Sequence, residues 1–244
     1  PLIVSKQTLF KDSIFVEIFN AIGKPDYRYT FDGTEPDSLS LLYDSPIKID
    51  RSTTLKIKAF KKGWKESETT SRNYYATAGN IEDYKLTTSP HPTYKNLSKL
   101  SDGILGDTDF RSGEWNGFQK NDDSESTIPP SSGDMVLEIN IPKGLKTNSI
   151  GIHALSYMND YITFPERLEL YDISSNKNRL IYFKNIDKED AGQIPKTVVY
   201  ELPISESNID KVKLVVKSNK KLPKGHVAEG QYAWFFVSEI FFML

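Results

Sequence analysis

Residues 100–118, LSDGILGDTDFRSGEWNGF, gather the densest set of chemistry-bearing side chains in the sequence. Asp102, Asp107, Thr108 and Asp109 offer hard oxygen donors within a few positions of one another. Gly103 and Gly106 let the backbone curl so that carbonyl groups point inward. Calcium takes roughly six to eight oxygens in a flexible shell, and this stretch could supply several of them. The spacing is not that of an EF-hand, which needs D-x-[DN]-x-[DN]-G and a glutamate closing the loop. A second signal lies at the far end, in YAWFFVSEIFFML, where Glu239 stands among Phe235, Val237 and Phe241. A strand apolar on both faces is a central strand, and an unpaired carboxylate buried there is costly. Glu239 is therefore expected to meet a cation or several donors, the cationic candidates being bound calcium and Arg111. The metal set read from the sequence is Asp102, Asp107, Thr108 and Glu239. Asp32 and Glu35 form another carboxylate pair, and paired carboxylates can hydrolyse glycosides. Asp32-Gly33 is also a strong turn signal, so a structural role is expected there. No nucleophile motif of the G-x-S-x-G kind and no H-E-x-x-H is present. His91, His153 and His226 are widely spaced, and the absence of cysteine removes thiol chemistry and cysteine-based zinc sites.

The elements that must position these groups read as β throughout. Leu55, Ile57 and Ala59 alternate with Lys56 and Lys58. Met135, Leu137, Ile139 and Ile141 alternate with Glu138 and Asn140, and Val212, Leu214 and Val216 repeat the pattern. Period-two alternation over runs this short marks half-buried antiparallel strands. Turn chemistry separates them at Asp32-Gly33, Lys62-Gly63, Pro129-Pro130 and Ser132-Gly133. No long amphipathic helix is evident. NDDSES, residues 121–126, reads as a solvated polar loop. With 244 residues the chain is long enough for two domains, and a boundary is expected within residues 76–92, giving domains 1–78 and 79–244. The net charge of -2 argues against nucleic acid or an anionic membrane as the main partner. No apolar run approaches the ~20 residues of a membrane helix. The opening Pro1-Leu2 suggests a processed or excised piece of a longer protein.

The residues YTFDGTEPD, SPIKI and TTLKIKAFKKGWKES, across about residues 10–76, resemble the small C-terminal β-sandwich of chitobiases and β-hexosaminidases. In that family the module is accessory. The later residues LSDG, DTDFRSGEW and WFFVSEIFF, with MVLEINIP, IGIHAL and FPERLELYDISSN between them, resemble the discoidin-type (coagulation factor 5/8 type C) β-sandwich over about residues 84–244. The fold this implies is all-β: an immunoglobulin-like β-sandwich followed by a discoidin-type, galactose-binding-like jelly-roll β-sandwich. Carbohydrate-binding members often hold a structural calcium near this loop, although DGILGDTDF is longer here than the common calcium loop.

Sugars are bound by an aromatic platform and by polar groups that pair their hydroxyls. In a discoidin-type sandwich the loops at one end form such a site. The corresponding residues are Arg111, Glu114, Trp115, Phe118, Tyr157, Asp160 and Tyr161, with His153, Asn159 and Trp234 beside them. Trp115 and Phe118 have an alternative reading as the roof of the sandwich. Trp234 reads better as core and His153 as a half-buried strand residue; Trp64 could stack on a sugar face, and reads first as closing the edge of the first sandwich. The resemblance implies a non-catalytic, carbohydrate-binding or accessory region of a bacterial glycoside hydrolase related to β-N-acetylhexosaminidases. Its partners would be a glycan containing N-acetylhexosamine or galactose and the catalytic domain of the same parent chain. Its setting would be periplasmic, cell-surface or secreted. The alternative is a structural brace with no sugar affinity. A freestanding enzyme finds no support in the motifs, and the basic run KSNKKLPKGH lacks the apolar spike that lipid binding needs.

Overall fold

The computed structural model describes residues 1–5, 7–19, 24–122, 131–175, 178–186, 193–206, 208–218 and 220–244. The expected turn at Pro129-Pro130 and residues 123–126 of the polar run lie outside these. The chain divides into two compact units, Pro1–Thr77 and Ala78–Leu244. Both are built from β-strands, and among the described residues helix is limited to three 3-10 turns, at Pro92–Tyr94, Leu97–Leu100 and Met158–Asp160.

In the first unit, β1 (Leu2–Val4), β3 (Ile14–Phe19) and β6 (Ile47–Ile49) pair antiparallel in the order β1-β3-β6, and β2 (Leu9–Phe10) lies between the first two in sequence. The facing strands are β4 (Asp26–Thr30), β5 (Leu41–Leu42), β7 (Thr53–Phe60) and β8 (Thr70–Asn80). Alternation buries Val16, Ile18, Ile47, Ile49, Leu55 and Ile57 in one core with Tyr27 and Tyr74. The opposite face of the first sheet leaves Leu2, Val4, Phe15 and Phe19 exposed. Asp32 and Glu35 are committed to structure. The Asp32 carboxylate accepts from the Thr34 amide at 3.0 Å and its hydroxyl at 2.6 Å, and Glu35 holds Lys56 at 2.6 Å and Thr69 at 2.6 Å. These bonds hold both carboxylates below their ordinary pKa, so neither is tuned as a general acid.

The second unit stacks two β-sheets built mainly of antiparallel pairs. One runs β15 (Arg179–Asn185), β14 (Arg167–Asp172), β17 (Lys211–Lys217), β12 (Met135–Asn140), β9 (Tyr84–Leu86). The other runs β11 (Ser131–Ser132), β10 (Asn116–Asn121), β18 (Trp234–Met243), β13 (Ser149–Ser156), β16 (Lys196–Pro203). Met135, Leu137 and Ile139 alternate into the space between the sheets, as do Val212, Leu214 and Val216. β18 is flanked by β10 and β13 and is buried along nearly its whole length. Its register against β13 slips between His153 and Ala154: His153 faces Glu239 whereas Ala154 faces Val237. Ser238 is thus the extra residue of a β-bulge, which re-aims side chains at the point where it occurs. Before it, Phe235 and Val237 point into the inter-sheet core; after it, Ile240 and Phe242 do. Ser238 and Glu239 consequently share the outer face, beneath the loop at 101–115.

Candidate functional site

A second, smaller core covers that outer face. Phe110, Trp115, Leu155, Ile162 and Phe236 are buried in it, and Tyr94, Tyr157 and Trp234 are packed against its rim. The loop at 101–115 is fastened down by two bonds to the bulge. The Gly106 amide donates to Ser238 Oγ at 3.1 Å, and the Gly103 amide donates to Glu239 Oε2 at 3.2 Å. His153 Nδ1 lies 2.7 Å from the same Ser238 hydroxyl, and its ring stacks on Trp115 with centroids 5.2 Å apart. Gly106 passes so close beneath the indole that a Cβ there would lie 2.8 Å from Trp115. Glycine is required by this approach, not by a turn.

This packing corrects the expectation for two aromatic residues. Trp115 is 2% exposed and Phe118 1% exposed. Phe118 belongs to the inter-sheet core and stacks on Phe235 at 6.0 Å. Neither offers a ring face to a ligand. His153 is also buried, as its strand position suggests, and burial depresses its pKa to about 3.

Glu239 is fully buried, and its Oε1 has no hydrogen-bond partner. Arg111 does not serve it, which corrects that expectation: Arg111 lies over the Phe110 ring at 4.0 Å and pairs with Asp160 at 3.0 Å. The neighbour of Glu239 is instead Asp102. Burial first, and the Asp102 charge after it, push the Glu239 carboxyl up to about 8. Lys99 stands at the edge of the same group, 2.9 Å from Asp102 and 3.2 Å from Glu114. Glu114 is thereby an ion-pair partner inside the loop and not part of an open surface. Of the expected metal set, Asp102 and Glu239 come together. Asp107 and Thr108 are exposed, and the Asp107 carboxylate accepts from the Asp109 amide at 2.8 Å within its own turn. Among the described residues no three His, Asp or Glu side chains make a metal cluster. A cation here would therefore draw its other oxygens from backbone carbonyls and water.

Three loops meet beyond the rim of this small core. Arg111 comes from the first, Tyr157, Asp160 and Tyr161 from the second, and His226 from the third, which leads into Trp234 at the start of β18. They are tied together by main-chain bonds: the Trp234 amide donates to the Tyr161 carbonyl at 2.8 Å, and the Thr163 amide to the Trp234 carbonyl at 2.9 Å. His226 Nε2 lies 2.9 Å from the Met158 carbonyl, with its ring 5.1 Å from that of Tyr161. Tyr161 adopts a left-handed conformation, φ +64°, closing the 3-10 turn Met158–Asp160. Trp234 is half-buried, edge-on to His91 at 4.9 Å and to Tyr94 at 5.3 Å. The structure thus brings Arg111, Asp160 and Tyr161 to one surface with Tyr157 at its margin, and adds His226, His91 and Tyr94. His226 lies in a glycine-flanked loop with no periodic signal, so only the three-dimensional contact reveals it. Asn159 is exposed beside the cluster. The His226 ring is itself fully engaged, Nε2 with the Met158 carbonyl and Nδ1 with the Ala228 amide at 3.1 Å, so the surface pairs guanidinium donors with a carboxylate acceptor and partly exposed aromatic edges.

Residues 6–71 match the family described as the chitobiase/β-hexosaminidase C-terminal domain. No curated protein sequence matches the chain. Among solved structures, the chain is similar to the family 32 carbohydrate-binding module of NanJ from C. perfringens in complex with galactose, at 14% identity, covering 67% of this chain and 97% of that one, with a TM-score of 0.34. It is similar as well to the C-terminal domain of a chitobiase from Bacteroides fragilis, at 13% identity, covering 67% and 94%, with a TM-score of 0.33. No helix among the described residues is long and apolar enough to cross a membrane.

Proposed function

We propose that the second unit is a carbohydrate-binding module that takes a galactose- or N-acetylhexosamine-containing glycan at the three-loop surface. The observation that carries this reading is the Arg111–Asp160 pair beside Tyr161, His226 and Trp234. The Arg111 side chain is 62% exposed. An ion pair this solvated is weak, about 0–1 kcal/mol, so it can open to sugar hydroxyls at little loss. Guanidinium N–H groups donate to hydroxyl oxygens while the carboxylate accepts from hydroxyl protons. Half-exposed rings receive the apolar face of the pyranose. We read the whole chain as the non-catalytic accessory region of a bacterial glycoside hydrolase related to β-N-acetylhexosaminidases, acting in the periplasm, at the cell surface or outside the cell. The family match over residues 6–71 supports that setting.

Calcium belongs to the same proposal as a structural ion. When bound it supplies positive charge to buried carboxylates. Asp102 and Glu239 would be its side-chain ligands, and the orphaned Glu239 Oε1 supports the fit. A divalent cation here would displace the Glu239 proton and complement, with the Lys99 ammonium, the carboxylates of Asp102, Glu114 and Glu239. A second reading, a brace against the catalytic domain of the same parent chain, is favoured by the open apolar face of Leu2, Val4, Phe15 and Phe19 in the first unit.

Isothermal titration of the chain against galactose, N-acetylgalactosamine, N-acetylglucosamine and chitobiose tests the proposal. At least one sugar should bind, and Arg111→Ala should weaken it about tenfold or more, since hydrogen bonds to a charged group contribute roughly 1.5–3 kcal/mol. Flat titrations across the panel would favour the brace.

A further inference from the structure

We propose that the loop following β7 in the first unit carries a second, separate glycan subsite built on Trp64. It shares with the reading above only the class of ligand. Trp64 does not close the sandwich edge as its sequence position suggests; it is 72% exposed. The side chain nevertheless stands on a fixed backbone. Gly63, at φ +79°, makes a turn that a residue with a Cβ would strain, and the Trp64 amide donates to the Lys61 carbonyl at 3.0 Å. The loop is then closed onto β7 by the Ser67 amide to the Ala59 carbonyl at 3.1 Å and by the Ala59 amide to Ser67 Oγ at 2.9 Å.

The ring is oriented as well. Lys61 Nζ lies 5.0 Å from its centroid, so the ammonium occupies one face and leaves the other available. Beside it opens a cleft of about 280 Å³ lined by Asp26, Phe60, Lys61, Lys62, Trp64 and Glu66. That volume is near the lower end for ligand sites, roughly 300 Å³, and suits a single sugar ring or one ring of a chain. The Glu66 carboxylate is held in place by Lys58 at 2.7 Å, and Asp26 stands opposite Phe60 in the β4–β7 register.

The lining selects the chemistry. The carboxylates of Asp26 and Glu66 stand among the ammonium groups of Lys61, Lys62 and the Lys58 that holds Glu66, so hydroxyl acceptors and donors lie side by side in the cleft. Carboxylates accept from hydroxyls and ammonium groups donate to hydroxyl or ring oxygens. Phe60 and Trp64 supply an apolar wall for a pyranose face. An oligosaccharide whose equatorial hydroxyls ring an apolar face meets both requirements.

The test uses the whole chain, with chitotetraose, cellotetraose and lactose followed by tryptophan fluorescence and titration calorimetry. In an Arg111→Ala background, at least one of these sugars should still bind and shift the emission. Adding Trp64→Ala should weaken that binding about tenfold or more, whereas Trp64→Tyr, which keeps an aromatic face, should retain it to within about threefold. Because Trp64 is exposed, thermal unfolding of both variants should match the parent, so a loss of affinity reports the ligand and not the fold. If the Arg111→Ala chain binds none of the sugars, or if Trp64→Ala leaves every affinity unchanged, the inference is overturned and the second-unit site stands on its own test. If Arg111→Ala changes nothing while Trp64→Ala abolishes binding, the second-unit reading fails and the Trp64 subsite holds.

Discussion

Trp115→Ala is expected to destabilise the second unit by about 3–5 kcal/mol, the range for deleting a large buried aromatic side chain. The indole fills the space between Gly106 and the His153 ring, and that space cannot collapse because both neighbours are fixed through Ser238. One term opposes the loss. The indole Nε1–H is buried without a partner, and removing it relieves an unsatisfied donor of about 1–3 kcal/mol. Trp115→Phe removes the same orphan donor while keeping most of the ring, so its loss should be much smaller. Denaturant unfolding of the two variants measures the difference. At temperatures where each is folded, Trp115→Phe should keep its sugar affinity. A Trp115→Ala chain of parental stability that has lost its sugar would return Trp115 to the ligand surface and contradict the packing described above.

The second large effect concerns pH and calcium together. In the metal-free protein, Glu239 holds its proton up to about 8, whereas the unfolded group releases it near 4.5. The folded state therefore binds the extra proton in this window, and stability falls as pH rises through it. His153 acts with the opposite sign. Its folded pKa is about 3 against 6.5, so the unfolded state takes up the extra proton and stability falls as pH drops below 6.5. Between 4.5 and 6.5 the two slopes cancel. From 6.5 to about 8 Glu239 acts alone, and at about 1.4 kcal/mol per pH unit the loss there is about 2 kcal/mol. Denaturant unfolding in a chelating buffer, read through tryptophan emission, should show this alkaline decline. Glu239→Gln should flatten it, since an amide does not ionise. Millimolar calcium should abolish it and raise the melting temperature at pH 8, because cation binding favours the ionised carboxylate. An alkaline limb that calcium leaves unchanged would argue against the ion at Asp102 and Glu239.

The strands were legible where one face is wet. Met135–Asn140 and Lys211–Lys217 alternate so regularly that their buried residues follow from the pattern alone. The doubly buried β18 was legible for the converse reason, an apolar run with a single acid in it. That Glu239 needs compensation could also be read from the sequence, but its neighbour could not. Arg111 and Asp102 both lie in the 101–115 loop, and which of them approaches Glu239 depends on the bulge at Ser238. A one-residue register slip leaves no mark in the hydrophobic pattern when every neighbour is apolar. The same limit explains Trp115. An aromatic residue in a glycine-rich loop reads alike as a platform or as a lid, and the bonds from Gly103 and Gly106 to β18 decide for the lid. Trp64 reads from the sequence either as a sugar platform or as edge packing, and the turn at Gly63 decides against packing by carrying it into solvent. His226 reaches Tyr161 through a loop contact across a long sequence separation, which no local spacing encodes.

A sugar is expected to dock on the surface where Arg111, Asp160, Tyr161, His226 and Trp234 meet. Amide chemical-shift mapping of the labelled chain during titration with galactose and N-acetylgalactosamine tests it most directly. Saturable shifts are expected at residues 110–111, 157–161, 226 and 232–234, with the inter-sheet core silent. Shifts confined to other surfaces of the second unit, or none at saturating sugar, would contradict it.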